Sequence, residues 1–461
     1  MNDNQIKVNN NWLTRITGDP FADVGGLVIK KLLEQSPEKP ILQLIEDTAK
    51  IYVNKWSGKI HPFFLNSTIT QPAFKGERKI TETLKFYKGL LEETLPNEEG
   101  YCRILGEQTK LFTAGRDNHI LSGSGTFMNF HHFFQGGLML SKEALIRVFF
   151  VPFGTQLLSD KIALLTSNEP EVTSLFINKI IQDNQDKIGK GSAKGILRSD
   201  FNKPSNALFE FAHECIRKLE DNENITLNLY HFTNFGAAPE VQLYTLPTNV
   251  YKFYSWVSKQ RKVAEDWKKF IRHHYKNSKA KSLVYNAQKD VFEYQLKKQN
   301  EIAGFDKFKT WYNPVLNNLL QGKSILGFIL KWSIKNPFQL NIVKAYQKNI
   351  RNMNVKTLEK IEKIADFILE NKHEAKKLLT QVRGFENAYS FKRFLVYLQE
   401  KNHANRTKEP LFSMKEYVEY LFPEGTSWKE IRTLLLICLY QKMHEQEIFF
   451  DNPILSEEVE N

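Results

Sequence analysis

The side chains best suited to contact a ligand lie in a glycine-rich passage, residues 115–137, which reads GRDNHILSGSGTFMNFHHFFQGG. Its glycines allow the backbone to approach another molecule closely. Ser124, Asn129, His131 and His132 add hydrogen-bonding groups. In a nucleic-acid-binding protein such a loop could enter a groove, where Asn or His reads base edges. The alternative is a turn-rich connection whose Phe side chains fill the core.

A strongly basic segment, residues 252–352, is the second candidate for ligand contact. Its 21 basic and 6 acidic residues give a formal charge of +15, whereas the rest of the chain, with 43 basic and 46 acidic residues, sums to −3. A block of like charge repels itself unless an anion lies against it. The segment therefore predicts a nucleic-acid-facing element. By charge alone we choose as phosphate contacts Lys259, Arg261, Lys262, Lys268, Lys269, Arg272 and Lys276.

Aromatic residues are interleaved with this charge: Tyr251, Phe253, Tyr254, Trp256, Trp267, Phe270, Tyr275, Tyr285, Phe292 and Tyr294. Lysine-rich surfaces that serve only solvation rarely carry so many rings, which favours the nucleic-acid interpretation. The alternative is a long amphipathic helix with a solvated basic face and its aromatic side chains in the core.

Metal and catalytic motifs are weak in this sequence. The pairs His131–His132 and His273–His274 are adjacent in sequence, so the two side chains of each pair point to different sides of a helix or strand. Neither H-E-x-x-H nor C-x-x-C occurs. We expect no metal, no cofactor and no catalytic activity, and we expect His273 and His274 to lie near phosphates.

A small basic loop, residues 189–198 (GKGSAKGILR), has two interpretations. It could wrap a phosphate backbone through its amides and lysines. It could equally be a mobile surface loop.

Composition places the chain among globular proteins. Its 461 residues are 41% hydrophobic and 25% charged, which suits two or three domains. The three cysteines are scattered, which predicts buried free thiols rather than disulfides. Without a signal-peptide pattern or a long apolar run, the sequence predicts a cytoplasmic protein. The pI near 9.2 favours RNA or DNA as partner, with an anionic membrane surface second.

The periodicity predicts an α+β protein in three parts. These are an α/β N-terminal domain (1–251), a basic aromatic-rich helical segment (252–352) and a C-terminal helical bundle (353–461). Within the first part, a helix over 25–33 is expected after a turn, with Asp23 as its cap. Strands are expected over 226–235 and 240–245, and 145–152 reads either as a strand or as a buried helix end.

Three short stretches resemble a known family: TGDPFADVGG (17–26), GTFMNFHHFFQGGL (125–138) and NFGAAPEVQLYTLPTNVYKF (234–253). Together they resemble the large subunit of a type I-B CRISPR effector complex, the Cascade surveillance assembly. Many members of that group carry two C-x-x-C pairs expected to bind zinc. This chain has neither pair, so the resemblance implies that it stabilises the corresponding region without a metal.

The resemblance implies a non-catalytic subunit that binds the 5′ handle of CRISPR RNA, recognises the PAM of target double-stranded DNA and helps to recruit the helicase-nuclease. Backbone, handle-binding and small subunits would be its partners, and no membrane is implied. Guide pairing reads most of the target in such complexes, while protein reads the flanking duplex and holds backbones.

The matching motifs give candidate contact residues. For duplex or handle contact these are Gly123, Ser124, Asn129, His131 and His132, and for a second loop edge they are Asn234 and Phe235. Asp19 and Asp23 are interpreted as structural.

Two other functions remain open: a nuclease whose site is unrecognised, and an adaptor whose basic segment binds an acidic protein. The charge profile changes at Met353, which also allows an internal start that would produce a separate helical small subunit.

Overall fold

The computed structural model describes residues 8–121, 138–219, 224–233, 240–278, 282–294, 302–370, 372–404, 409–424 and 427–448. The chain divides into two compact units. Unit 1 is Met1–Pro247 with Asp306–Tyr312, and unit 2 is Thr248–Phe305 with Asn313–Asn461. Within the described ranges, every helix is too short or too polar to span a bilayer.

Unit 1 mixes helices with mainly antiparallel strands. Its helices are α1 (Asn10–Thr14), α2 (Pro20–Gln35), α3 (Ile41–Lys50), α4 (Glu77–Leu91), α5 (Lys142–Phe150), α6 (Pro170–Gly189) and α7 (Pro204–Lys218). Its strands are β1 (Glu98–Tyr101), β2 (Gln108–Ala114), β3 (Leu138–Ser141), β4 (Gln156–Leu158), β5 (Lys161–Ser167), β6 (Leu197–Arg198), β7 (Leu227–Thr233) and β8 (Glu240–Leu246). Among the described residues, β1-β2-β3 form one sheet and β6-β4-β5-β7-β8 form another, in which β4 and β6 are parallel.

Helix α2 begins earlier than the sequence predicted. The side chain of Asp19 accepts from the Ala22 amide at 2.7 Å and Pro20 occupies the first turn, which together fix the helix start. Asp23 is therefore not the cap, and that prediction is wrong. Its carboxylate instead accepts from the amides of Thr17 and Gly18, each at 2.8 Å.

A fully buried arginine on α5 holds this region together. Arg147 donates to the carbonyl oxygens of Ala22, Trp12 and Arg15 at 2.8, 3.1 and 2.8 Å, and to Asp23 Oδ1 at 3.0 Å. The carboxylate offsets the cost of burying the guanidinium, and the three carbonyls satisfy three more of its five N–H groups.

Two glycines of α2 allow α5 to lie this close. A Cβ on Gly25 would lie 1.9 Å from the Arg147 carbonyl oxygen, and a Cβ on Gly26 would lie 2.8 Å from an Arg147 guanidinium nitrogen. Any larger residue would push the two helices apart. The TGDPFADVGG stretch is thus a structural joint, as predicted for its two aspartates.

Residues 145–152 are helical rather than a strand. They form most of α5 and continue into a tight turn at Val151–Gly154. Every residue of α5 is buried, so its apolar run faces protein on all sides. The Tyr52 hydroxyl donates to the Phe149 carbonyl at 3.0 Å, which ties the segment after α3 to α5.

Unit 2 is mainly helical, as predicted for the C-terminal part. Its elements are α8 (Thr248–Lys259), α9 (Arg261–His273), β9 (Leu283–Asn286), β10 (Val291–Tyr294), β11 (Ile302–Ala303), α10 (Phe305–Phe308), α11 (Pro314–Leu320), α12 (Leu326–Ser333), α13 (Leu340–Asn349), α14 (Val355–Glu370), α15 (Lys372–Gly384), α16 (Ala388–Ala404), α17 (Met414–Glu416) and α18 (Trp428–Glu445). Helix α10 spans the junction between the units in sequence: Phe305 belongs to unit 2, and the rest of the helix belongs to unit 1, to which the chain returns over Asp306–Tyr312.

The segment predicted to be wholly helical contains a small antiparallel sheet. Strands β9 and β10 form a hairpin in which Phe292 pairs with Tyr285, and β11 pairs with β10. Later in unit 2, α18 packs against α12 and α14. The α+β class with a helical C-terminal region is confirmed, and the sheet is an addition to it.

Candidate nucleic-acid interface

Seven of the sequence-predicted contact residues lie outside the described residues: Gly123, Ser124, Asn129, His131, His132, Asn234 and Phe235. Their roles stay predictions. The structure does place the seven basic candidates, which all belong to unit 2.

Helix α9 has one basic face and one apolar face. Arg261, Lys262, Lys268 and Lys269 are exposed, whereas Trp267 and Phe270 are buried, together with Val263. The three buried residues are spaced by three, four and seven positions, which places them on one side of the helix, and the four basic side chains lie on the other side. None of these four forms an ion pair with another described residue. We call them the α9 basic face.

The other three basic candidates lie at the margins of this face. Lys259 is the last residue of α8 and Lys276 follows α9, and both are exposed. Arg272 is different, because its guanidinium forms an ion pair with Asp290 and lies 4.1 Å from the centroid of the Phe305 ring. Its side chain is only 16% exposed, so its structural contacts already occupy it.

Acidic groups interrupt the face. Glu265 is exposed between the basic residues, and Asp266 accepts from the Gln339 side-chain amide at 2.9 Å. A groove of about 570 Å³ lies here, lined by Lys268 and Lys269 as well as by both acids. The face can thus hold a phosphate backbone at separated points rather than along an unbroken cationic stripe.

Most of the interleaved aromatic rings lie in the core, as the amphipathic alternative predicted. Tyr251, Phe253, Trp267, Phe270, Tyr275, Tyr285 and Phe292 are all buried. Phe253 meets Trp267 edge to face, with centroids 5.2 Å apart, and also contacts Tyr346. These rings position α9 and leave its basic side chains at the surface.

The two adjacent histidines of this segment do not behave alike. His274 is buried, and its Nδ1 donates to the Phe270 carbonyl at 2.7 Å. Burial lowers the pKa of His274 to about 4, so the ring is neutral at pH 7. The prediction that His274 lies near phosphates is wrong. His273 is exposed, with its ring 4.9 Å from the Trp332 ring.

In the small basic loop after α6, backbone amides donate to carbonyl oxygens at the end of that helix. The amide of Gly191 donates to the Ile188 carbonyl, and the amides of Ser192 and Ala193 both donate to the Lys187 carbonyl. These three N–H groups are already occupied, so they cannot wrap a phosphate as the sequence allowed. Lys190 and Lys194 remain exposed at this turn of unit 1.

In the described part of the chain, no group of three His, Cys, Asp or Glu side chains lies close enough together to hold a metal ion. Cys102, Cys215 and Cys438 are buried and free, as predicted.

Sequence reasoning missed the role of Arg147 and the ion pair of Arg272. A single arginine in an apolar helix resembles any surface charge in sequence. The glycine pair of α2 and the uniformly apolar neighbours of Arg147 were the available signals of a buried contact.

Comparison with known proteins gives one partial match. No curated protein matches the chain. Residues 331–460, from the end of α12 onward, match the family model described as the DevT C-terminal domain. The match begins upstream of Met353, so a product starting at Met353 would lack the first part of the matched domain. This domain match supports a CRISPR-associated component.

Proposed function

We propose that the chain is the non-catalytic large subunit of a CRISPR RNA-guided DNA surveillance complex of type I-B. In this role it binds the 5′ handle of the CRISPR RNA, recognises the PAM of the target duplex and helps to recruit the helicase-nuclease. Its partners are the backbone, handle-binding and small subunits.

The DevT match over residues 331–460 carries the proposal, because it associates this chain with CRISPR systems independently of the three motifs near the N-terminus. Those motifs all end before residue 254 and so do not overlap the matched range. Two separate regions of the chain therefore support the same class of protein.

The α9 basic face supplies the physical part of the argument. Four exposed cations that form no ion pair with a residue the structure describes suit sequence-independent contact with phosphates, which supplies most non-specific affinity for nucleic acid. Large subunits that delegate sequence reading to a guide need this backbone contact more than base contacts.

Binding to a PAM library tests the specific role. The purified chain, assembled with its CRISPR RNA and partner subunits, is presented with duplexes that share one target and differ in the flanking positions. The proposal predicts that some flanking sequences bind more tightly than others. Equal binding to every flank would contradict PAM recognition.

Incubation of the purified chain with the same RNA and DNA in the presence of Mg²⁺ or Mn²⁺ tests the non-catalytic role. The proposal predicts uncut substrates. Cleavage that persists through purification and disappears with chelation would favour the nuclease alternative instead.

A further inference from the structure

A separate pocket of unit 1 has the chemistry of a nucleobase site. It has a volume of about 260 Å³ and lies between the segment 64–74, helix α4, helix α5 and the first described turn of the glycine-rich passage. This volume is slightly below the usual range for drug-sized ligands, roughly 300–1,000 Å³, so it suits one small ring system.

The walls of the pocket are aromatic. Phe64, Phe74, Phe86, Tyr87 and Phe149 line it. The Tyr87 ring centroid lies 4.8 Å from that of Phe149 and 5.1 Å from that of Phe86, so these rings hold one another in place. A flat ligand entering here meets ring faces and edges, which is how proteins hold unstacked bases.

Polar side chains also line the pocket, with Asp117 as the acidic one among them. Asp117 is exposed at the pocket and forms no ion pair with another described residue. Tyr87, which is only 4% exposed, also lines the pocket. Burial raises the pKa of Tyr87, and the Asp117 charge raises it further. A ligand with N–H donors could donate to the Asp117 carboxylate.

A cation lies beside the pocket. The guanidinium of Arg78 is 5.1 Å from the centroid of the Phe74 ring, its Nε lies 4.0 Å from Glu82 Oε1, and its side chain is 67% exposed. A phosphate attached to a bound base would meet positive charge here.

We propose that this pocket binds a single unstacked nucleobase that presents amino or imino N–H donors to Asp117. The proposal rests on the proposed function, since the base would belong to the CRISPR RNA or to a separated DNA strand. It adds a base-specific site in unit 1 to the phosphate-binding face of unit 2. Guanine is the best match, because its adjacent N–H donors suit the two carboxylate oxygens.

Ligand-observed NMR on the full chain with the 5′-monophosphates of guanosine, adenosine, cytidine and uridine tests the site. We expect saturable binding of a guanine or another amino-bearing nucleotide. Asp117→Asn should weaken it at least about fivefold, the lower end of what one base-edge pair contributes. Asn66→Trp, at an exposed position of the pocket, should block it. Asp160→Asn, an exposed acid elsewhere in unit 1, is the charge-matched control and should bind normally.

Short single-stranded RNA and DNA oligonucleotides carrying the preferred base then identify the source of the bound base. The oligonucleotide with the higher affinity indicates whether the CRISPR RNA or a separated DNA strand supplies it. Absence of nucleotide binding, or binding unaffected by both Asp117→Asn and Asn66→Trp, overturns the inference.

A variant of the α9 basic face separates this inference from the proposed function. Neutralising that face should leave monophosphate binding in unit 1 unchanged. Loss of CRISPR RNA binding by this variant with intact monophosphate binding leaves the pocket standing. Loss of CRISPR RNA binding by this variant, with no monophosphate binding even by the wild-type chain, leaves only the α9 basic face.

Discussion

The Arg147 guanidinium on α5 donates to Asp23 on α2 across 3.0 Å, with the Arg147 side chain wholly buried. The same side chain satisfies three backbone carbonyls near the N-terminus of unit 1. Two elements far apart in sequence are thus joined by one charged group. Its removal would leave the Asp23 carboxylate without its counter-ion and three backbone carbonyls without this donor.

Arg147→Met should therefore lower the free energy of unfolding by about 3–5 kcal/mol, the usual cost of removing one partner of a buried ion pair. Urea denaturation measures this. Lys31→Gln, which removes an exposed pair with Glu34, should cost less than about 1 kcal/mol. Equal effects of the two changes would show that the buried network does not stabilise the fold.

Gly25→Ala should lower the free energy of unfolding about as much as Arg147→Met does. Its Cβ would lie 1.9 Å from the Arg147 carbonyl oxygen, so the backbone would have to move. We expect a loss of several kcal/mol or an insoluble product. Gly189→Ala, at the end of α6 with nothing near the added Cβ, is the matched control and should be neutral or slightly stabilising. Thermal melting compares them, and a stable Gly25→Ala protein would contradict the close contact between α2 and α5.

These contacts show what the sequence could predict. The turn at residues 18–20 and the apolar spacing of α2 are local signals, and both predicted a helix here. The partner of Asp23 lies 124 residues away in sequence, and no local pattern identifies it. Strands β7 and β8 were predicted well because their alternation is local. Strands β9 and β10 were missed because they are short and the surrounding lysines dominate the composition.

The candidate interface was predictable only in outline. Charge located the basic segment, and helical spacing selects the exposed side of α9 within it. Arg272 and Lys268 look equivalent in sequence. The structure separates them, because Asp290 on a hairpin pairs with one and leaves the other at the surface.

Stability should depend on pH through His274. Burial lowers its pKa from 6.5 to about 4, so the unfolded chain binds this proton more readily than the folded chain does. The neutral His274 ring therefore contributes to the free energy of unfolding. This contribution is fully present above pH 6.5 and is lost as the pH falls from 6.5 toward 4, by up to about 3 kcal/mol.

His274→Phe should remove that part of the pH dependence, as measured by the unfolding midpoint at pH 7 and pH 5. His403→Gln, at an exposed position, should retain the wild-type dependence. An unchanged pH dependence in His274→Phe would mean that this ring is accessible to protons in the folded state.

The cysteines should be unreactive in the folded protein. All three are buried, and burial raises the pKa of Cys215 and of Cys438 to about 12, which leaves little thiolate at pH 8. A chromogenic disulfide reagent should react with none of them at pH 8 until the chain is denatured, and then with three per chain. Fast reaction of the native chain would indicate an opening that exposes a thiol.

The salt dependence of CRISPR RNA and duplex binding tests the central claim most directly. The α9-face variant carries Arg261→Gln, Lys262→Gln, Lys268→Gln and Lys269→Gln. Its control removes the same charge from exposed lysines of unit 1, at Lys30, Lys55, Lys75 and Lys85.

We predict that the α9-face variant flattens the slope of log K against log salt by roughly three to four units, one phosphate contact per side chain. The unit 1 control should change the slope little, and so should Arg272→Gln, because Asp290 already holds that side chain. An unchanged slope in the α9-face variant would contradict the account and would favour a docking surface for an acidic protein.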